Sequence, residues 1–299
     1  MKRLLIAAVA ASVAYGPAMA QELTGALKKI KETGAITIGY RESSVPFSYL
    51  DDKQKPIGYA MDICMAIVGA VQKELKLEKL DVKLNPVTSA TRIPLLANGT
   101  IDLECGSTTN NVERQKQVSY TNTHFLTATR LVSKKGNPIK SVDDLKGKTI
   151  VSTAGTTNIK QMNELNTAKN LGMTILSGKD HAESFLMVET DRAVAFAMDD
   201  ILLAGFVANA KDPAAFEITK DAYSAAEPYG IMIPKDDAPF KKIADAATAG
   251  LYKTGGAALF KKWFQSPVPP KNINLNFAVS PQLEKMFASP SDSADPASY

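Results

Sequence analysis

Three arginines stand just beyond stretches that alternate apolar and polar residues, and each has small hydroxyl residues nearby. The fullest case is the run from Leu103 to Arg114, Leu-Glu-Cys-Gly-Ser-Thr-Thr-Asn-Asn-Val-Glu-Arg. Ile101, Leu103 and Cys105 share one face of a predicted strand, Gly106 breaks it, and Ser107, Thr108 and Thr109 follow. Small residues at a strand's carboxyl end expose backbone N–H groups and hydroxyls, and that edge is where open α/β sheets bind ligands. A guanidinium beside such donors is a rigid fork for a carboxylate. Arg41 follows the strand-like Ala35–Tyr40, and Ser89 with Arg92 follows the alternating Leu80, Val82 and Leu84. In a parallel sheet the three clusters share one edge. Singly, each arginine is more often a solvated surface residue. Together they either repel or hold anions, and they suggest a ligand with more than one carboxylate.

The second half of the chain offers complementary groups. Thr149–Thr153 reads as a strand, and Ala154-Gly155-Thr156-Thr157 opens a helix whose exposed N–H groups suit an anion or a polar group. The spacing of a phosphate P-loop is absent. Asp180-His181 begins another helix, where a lone histidine is most often a cap or a surface residue. The nearly all-apolar Ala193–Met198 reads as a central parallel strand and ends at Asp199-Asp200. A carboxylate there can cap the following helix or hold an ammonium group. No His or carboxylate cluster has the spacing of a metal site, and no cofactor motif occurs.

The elements that must position these residues alternate strand, helix, strand, helix, strand from Ala35 to Cys105, which implies a parallel sheet with right-handed crossovers. Predicted helices include Leu23–Ile30, closed by Gly34, and two near the end, Pro239–Tyr252 and Gly256–Phe264; Glu42–Gln54 reads as a loop. Strand-like segments at Phe125–Ser133 and Tyr223–Ile233 are the two crossings between lobes. The expected division is 21–128 with 229–285 as a discontinuous first lobe, 129–228 as the second, and 286–299 as a flexible polar tail. Residues 1–20 have the basic start, short apolar run and Ala18-Met19-Ala20 site of a secretory signal peptide. Removing them lowers the formal charge from +4 to +2, because only Lys2 and Arg3 are lost from 35 basic residues set against 31 acidic ones. That balance argues against a nucleic-acid or membrane-surface partner. Cys64 and Cys105 lack C-x-x-C spacing; in an exported protein they can form a disulfide or remain two buried thiols.

This layout resembles a known family, the periplasmic solute-binding proteins of the polar amino acid group that serve ABC importers, and among them the glutamate/aspartate-binding group. The resemblance is carried by Gly39–Tyr49, Arg92–Leu96, Glu104–Lys116, Val194–Phe196, and Trp263 with Pro269–Asn272. It implies a type II periplasmic binding protein fold, α/β and two-lobed, each lobe a mostly parallel sheet flanked by helices and joined by two hinge crossings. It implies that Arg114 clamps an α-carboxylate with donors at Ser107, Thr109 and Thr157, and that Asp199 receives the α-ammonium. A distal carboxylate then falls to Arg41, Ser89, Arg92 and His181. Three arginines and one aspartate count as +2, which suits a ligand of net charge −1. Lobe closure near Thr127–Leu131 and Pro228–Ile231 would present the loaded protein, expected to be a monomer, to permease subunits.

The rival class is an enzyme on the same scaffold. Exported cyclohexadienyl dehydratases share this architecture and take dicarboxylate substrates, with Glu42 the nearest general-acid candidate. No G-x-S-x-G elbow exists, and two histidines make a hydrolytic triad a poor reading. A ligand-presenting partner of a sensory receptor would use the same binding.

Overall fold

A computed structural model describes residues 23–299; the expected signal peptide at 1–20 lies outside the described residues. Two five-stranded sheets form the two lobes. In the first the order is Asp81–Pro86, Ala35–Tyr40, Leu103–Cys105, Met232–Ile233, Ser119–Tyr120. In the second it is Thr174–Gly178, Thr149–Thr153, Ala195–Asp199, Thr129–Lys134, Phe216–Ile218. Each sheet has three parallel strands, then one antiparallel strand, and beyond it an outer strand that pairs antiparallel with that fourth strand. The parallel registers Tyr40↔Pro86 and Tyr40↔Cys105 bring three carboxyl ends level, so Arg41, Ser89 and Gly106 emerge along one edge. Thr153↔Gly178 and Ser152↔Ala197 do the same for the second lobe.

The crossings pair with each other. Phe125–Thr127 runs antiparallel to Glu227–Tyr229, with Thr127 opposite Glu227 and Phe125 opposite Tyr229. A two-stranded ribbon anchored at both ends is a natural hinge. Beneath it, Phe47, Phe125, Tyr229 and Phe264 pack with ring centroids 5.0–6.1 Å apart, so the hinge rests on a rigid aromatic floor.

Three expectations change. Residues 42–54 are not a plain loop: Ser43–Ser44, Ser48–Leu50 and Pro56–Ile57 form a small antiparallel sheet. The two helices predicted near the end are one, Ala238–Phe264, of 27 residues. Lys253-Thr254-Gly255 does not interrupt it, because Gly256 lies directly beneath the ring of Phe287 on the helix Pro281–Ala288, a close approach that needs a small residue. The final residues are docked rather than loose. Thr123 N–H donates to Ser291 O at 2.7 Å, Asn110 Nδ2 donates to Asp292 O at 2.9 Å, and Asp292 pairs with Lys241 at 2.7 Å. Their polar composition is satisfied by lobe 1, a partner that composition alone does not reveal.

The Cys64 and Cys105 sulfurs are bonded, tying the helix Tyr59–Glu74 to the central strand of lobe 1 two positions before Ser107. No described helix is long and apolar enough to cross a membrane.

Candidate functional site

The lobes meet at a small cavity lined by Ser89, Arg92, Ser107, Thr109 and Arg114 from lobe 1. Thr156, Thr157, Asn158, His181, Met198 and Asp199 line it from lobe 2. Eight of the nine residues singled out from the sequence line this cavity. The ninth, Arg41, is 1% exposed and stands behind His181, its Nη2 3.3 Å from His181 Nε2.

Local sequence fixes each group. Thr88 N–H donates to Thr91 Oγ1 at 2.9 Å and Thr91 N–H to Thr88 Oγ1 at 3.2 Å. This reciprocal pair closes the turn that holds Ser89 and starts the helix Arg92–Ala97. Gly106 has no room for a side chain, since a Cβ would sit 2.4 Å from Glu104 Oε1 and 2.9 Å from the Arg41 stem. Asn111 caps the short helix Val112–Gln115 by accepting from Arg114 N–H at 2.9 Å, which aims Arg114 inward. Thr156 caps Thr157–Ala168 by accepting from Ile159 N–H at 3.2 Å. The preceding Gly155 has φ +76° and comes within 2.7 Å of Ala90 Cα in the other lobe if given a Cβ; only glycine fits that closed contact. Asp199 precedes the helix Asp200–Asn209 but its side chain makes no cap bond. The capping alternative therefore fails, and the carboxylate faces the cavity.

The electrostatics divide between the lobes. On lobe 1, Arg92 Nη1 donates to Thr108 Oγ1 at 2.5 Å, Thr108 Oγ1 donates to Glu104 Oε2 at 2.6 Å, and Arg92 lies 3.9 Å from Glu104 Oε1. Burial lowers Arg92 to about 9 and lowers Arg41 as well, with Glu104 opposing both shifts. Arg114 donates through Nη1 to Thr109 O at 2.9 Å and through Nη2 to Gly155 O at 3.1 Å, so one guanidinium spans both lobes. Because a guanidinium only donates, His181 Nε2 accepts from Arg41, and Nδ1 carries the proton toward Thr153 Oγ1 at 2.9 Å. Burial first, then Arg41 and Arg92, push His181 well below its ordinary pKa, so it is neutral at pH 7. On lobe 2, Asp199 Oδ1 accepts from Asn158 Nδ2 at 2.8 Å and Oδ2 accepts from the Tyr229 hydroxyl. Burial and then the nearby Glu227 charge raise Asp199 to about 7, while its two hydrogen bonds pull the other way.

Several buried donors around lobe 1 have no protein partner: Arg41 Nη1, Ser89 Oγ, Arg92 Nε and Ser107 Oγ. Such groups are costly to bury unless something accepts from them. A carboxylate is the chemistry that fits. No group of three or more His, Cys, Asp or Glu that could hold a metal occurs among the described residues.

The charge count read from the sequence needs correction. It omitted Glu104 and Glu227, which are 0% and 7% exposed. With them, three arginines face three carboxylates and the formal sum is zero. The charges are nonetheless separated across the cavity. Arg41 and Arg92 less Glu104 leave one positive charge on lobe 1, Arg114 adds another, and Asp199 with Glu227 sets the negative charge opposite. Glu104 escaped notice because alternation places it on the face opposite Leu103 and Cys105. Glu227 sits in an otherwise apolar crossing, and that placement was the available signal. Asn158 had none beyond lying two residues past a helix cap.

The model of the bacterial extracellular solute-binding proteins, family 3, matches residues 36–266. The chain belongs to this family. Among relatives of this family-3 protein, the L-glutamate/L-aspartate-binding protein of Pseudomonas aeruginosa is 53% identical across 97% of both chains. The glutamate/aspartate import solute-binding protein of Escherichia coli K12 is 49% identical across 97% of this chain and 96% of its own. Among solved structures, an ancestral arginine-binding protein bound to glutamine superposes with a TM-score of 0.69 at 27% identity, covering 77% of this chain and 98% of its own. An ancestral amino-acid-binding protein described as a precursor of cyclohexadienyl dehydratase gives 0.69 at 26% identity, covering 81% and 100%. These likenesses establish the two-lobed type II binding-protein fold, and the protein is a solute receptor rather than an enzyme.

Proposed function

We propose that this protein binds glutamate or aspartate between its lobes in the periplasm and, as a monomer, delivers it to the permease of an ABC importer. One observation carries the reading: buried, unpartnered donors on Ser89, Arg92 and Ser107 share a cavity with Arg114 and the buried Asp199, with Arg41 behind His181. Arg114, with donors at Ser107, Thr109 and Thr157, takes the α-carboxylate; Asp199 takes the ammonium. Arg92 and Ser89 take the distal carboxylate, with His181 lining the seat and Arg41 behind it adding positive charge. Arg114 already reaches Gly155 across the cleft, so a ligand held by both lobes adds to contacts that favour closure. The names of the close relatives from Pseudomonas and Escherichia support the same ligand class.

Thermal melting of ligand-stripped protein tests it. Glutamate or aspartate at a hundred times its Kd should add about 2.7 kcal/mol of stability, and glutamine at the same concentration should add none. Equal stabilisation by glutamine would refute the distal-carboxylate assignment.

A further inference from the structure

We propose that Glu227 sets the preference for a ligand bearing an ammonium group, by pinning one threonine from each lobe and adding a second negative charge beside Asp199. The proposal rests on the acidic amino acid reading of the same cavity. Glu227 does not line that cavity; it lies on the crossing strand Glu227–Tyr229, opposite Thr127, and is buried. Its Oε2 accepts from Thr109 Oγ1 of lobe 1 at 2.9 Å and from Thr157 Oγ1 of lobe 2 at 2.8 Å. Gln161 Nε2 donates to the other oxygen at 2.5 Å. One hinge carboxylate therefore reaches hydroxyls on both sides of the cleft.

A threonine hydroxyl has a single proton. With both protons given to Glu227, Thr109 and Thr157 offer an anion only their backbone N–H groups. Thr157 is well suited to that, being the first residue of its helix. Their hydroxyl oxygens keep lone pairs and become acceptors turned toward the cavity that both residues line. The arrangement converts two ambiguous hydroxyls into ammonium acceptors and sets a carboxylate behind them. Tyr229, two residues along the same strand, donates to Asp199 Oδ2, so the strand positions Asp199 as well. Glu227 acts as a positioning residue: it need not touch the ligand to decide what the touching groups can accept.

The test compares L-glutamate with 2-hydroxyglutarate, which keeps both carboxylates and replaces the ammonium by a hydroxyl. Both are titrated into wild-type protein and Glu227→Gln, which keeps the shape and removes the charge. The expected result is a loss of tenfold or more for glutamate with little change for 2-hydroxyglutarate, so that the preference ratio falls at least tenfold. Loss of both by the same factor, or no change, would overturn the proposal. Should Glu227→Gln fail to fold, Thr157→Val removes one of the two acceptor oxygens and leaves Glu227 in place. It should weaken glutamate more than 2-hydroxyglutarate, and an equal effect on the two would overturn the proposal. Wild-type protein that binds neither ligand would overturn the acidic amino acid reading and this proposal with it. Wild-type binding with an unchanged ratio in Glu227→Gln would overturn this proposal alone.

Discussion

Binding of glutamate should release a proton from Asp199, and the amount follows from the site. Burial and the Glu227 charge hold the Asp199 carboxyl at about 7, with Asp200 adding a smaller push and Asn158 and Tyr229 opposing. At pH 6 about nine in ten molecules then carry the proton, against about one in ten at pH 8. An arriving ammonium needs the carboxylate, so binding at pH 6 expels about 0.9 proton, and the affinity is about tenfold weaker than at pH 8, roughly 1.4 kcal/mol. Neither histidine confuses the reading, since burial holds both His124 and His181 below their ordinary range. The assay is calorimetry in two buffers of different ionisation enthalpy at each pH; the dependence of the observed heat on the buffer counts the protons. Heats independent of buffer at pH 6 would refute the expected proton release, which needs both a raised Asp199 carboxyl and an ammonium seated on it. The same shift affects folding without ligand. A carboxyl raised in the folded state favours the fold at low pH, and that contribution is lost as pH rises through about 7.

Three further outcomes follow from individual contacts. Arg92→Lys keeps the charge facing Glu104 but loses the fork; calorimetry should show a loss of about 1.5–3 kcal/mol for glutamate, and Arg41→Lys, screened by His181, should cost less. The Cys64–Cys105 disulfide spans 41 residues, so replacing both cysteines by serine should cost roughly 4 kcal/mol in denaturant unfolding on the chain-entropy model. His124 is fully buried among the rings of Phe47, Tyr59 and Tyr229, and neither ring nitrogen has a partner; burial lowers it to about 3. Its unfolded form takes up a proton as pH falls below 6.5, so His124→Phe should stabilise the protein at pH 7.5, by about 1 kcal/mol, and by more at pH 5. Thermal melts at both values check it.

Most of the site was legible because its groups lie where backbone geometry puts them. Parallel strands end together, so Arg41, Ser89 with Arg92, and Ser107 could be assigned to one edge from alternation, whereas setting Asp199 and Thr157 opposite them rested on the resemblance to the family. What escaped depends on contacts between distant segments. Arg41 and His181 are 140 positions apart, and no local pattern shows that the histidine stands between the arginine and the cavity. Glu227 and Thr109 are 118 apart, which hid the third carboxylate and made the charge count too positive. The continuous helix Ala238–Phe264 was divided at Gly255-Gly256 because glycine lowers helix propensity; the ring of Phe287 above Gly256 supplies the packing that outweighs it. The end of the chain was misjudged for a related reason, since Ser291 and Asp292 find partners on Thr123, Asn110 and Lys241 that only the fold brings near.

The most direct measurement is calorimetric titration of refolded, ligand-stripped protein with glutamate, aspartate and glutamine. One-to-one binding of both acidic amino acids is expected, with glutamine weaker by roughly 10⁴-fold, as sites built to hydrogen-bond one group reject analogues lacking it. Glutamine binding within tenfold of glutamate would contradict the central claim that Arg41, Ser89, Arg92 and His181 form a seat for a second carboxylate.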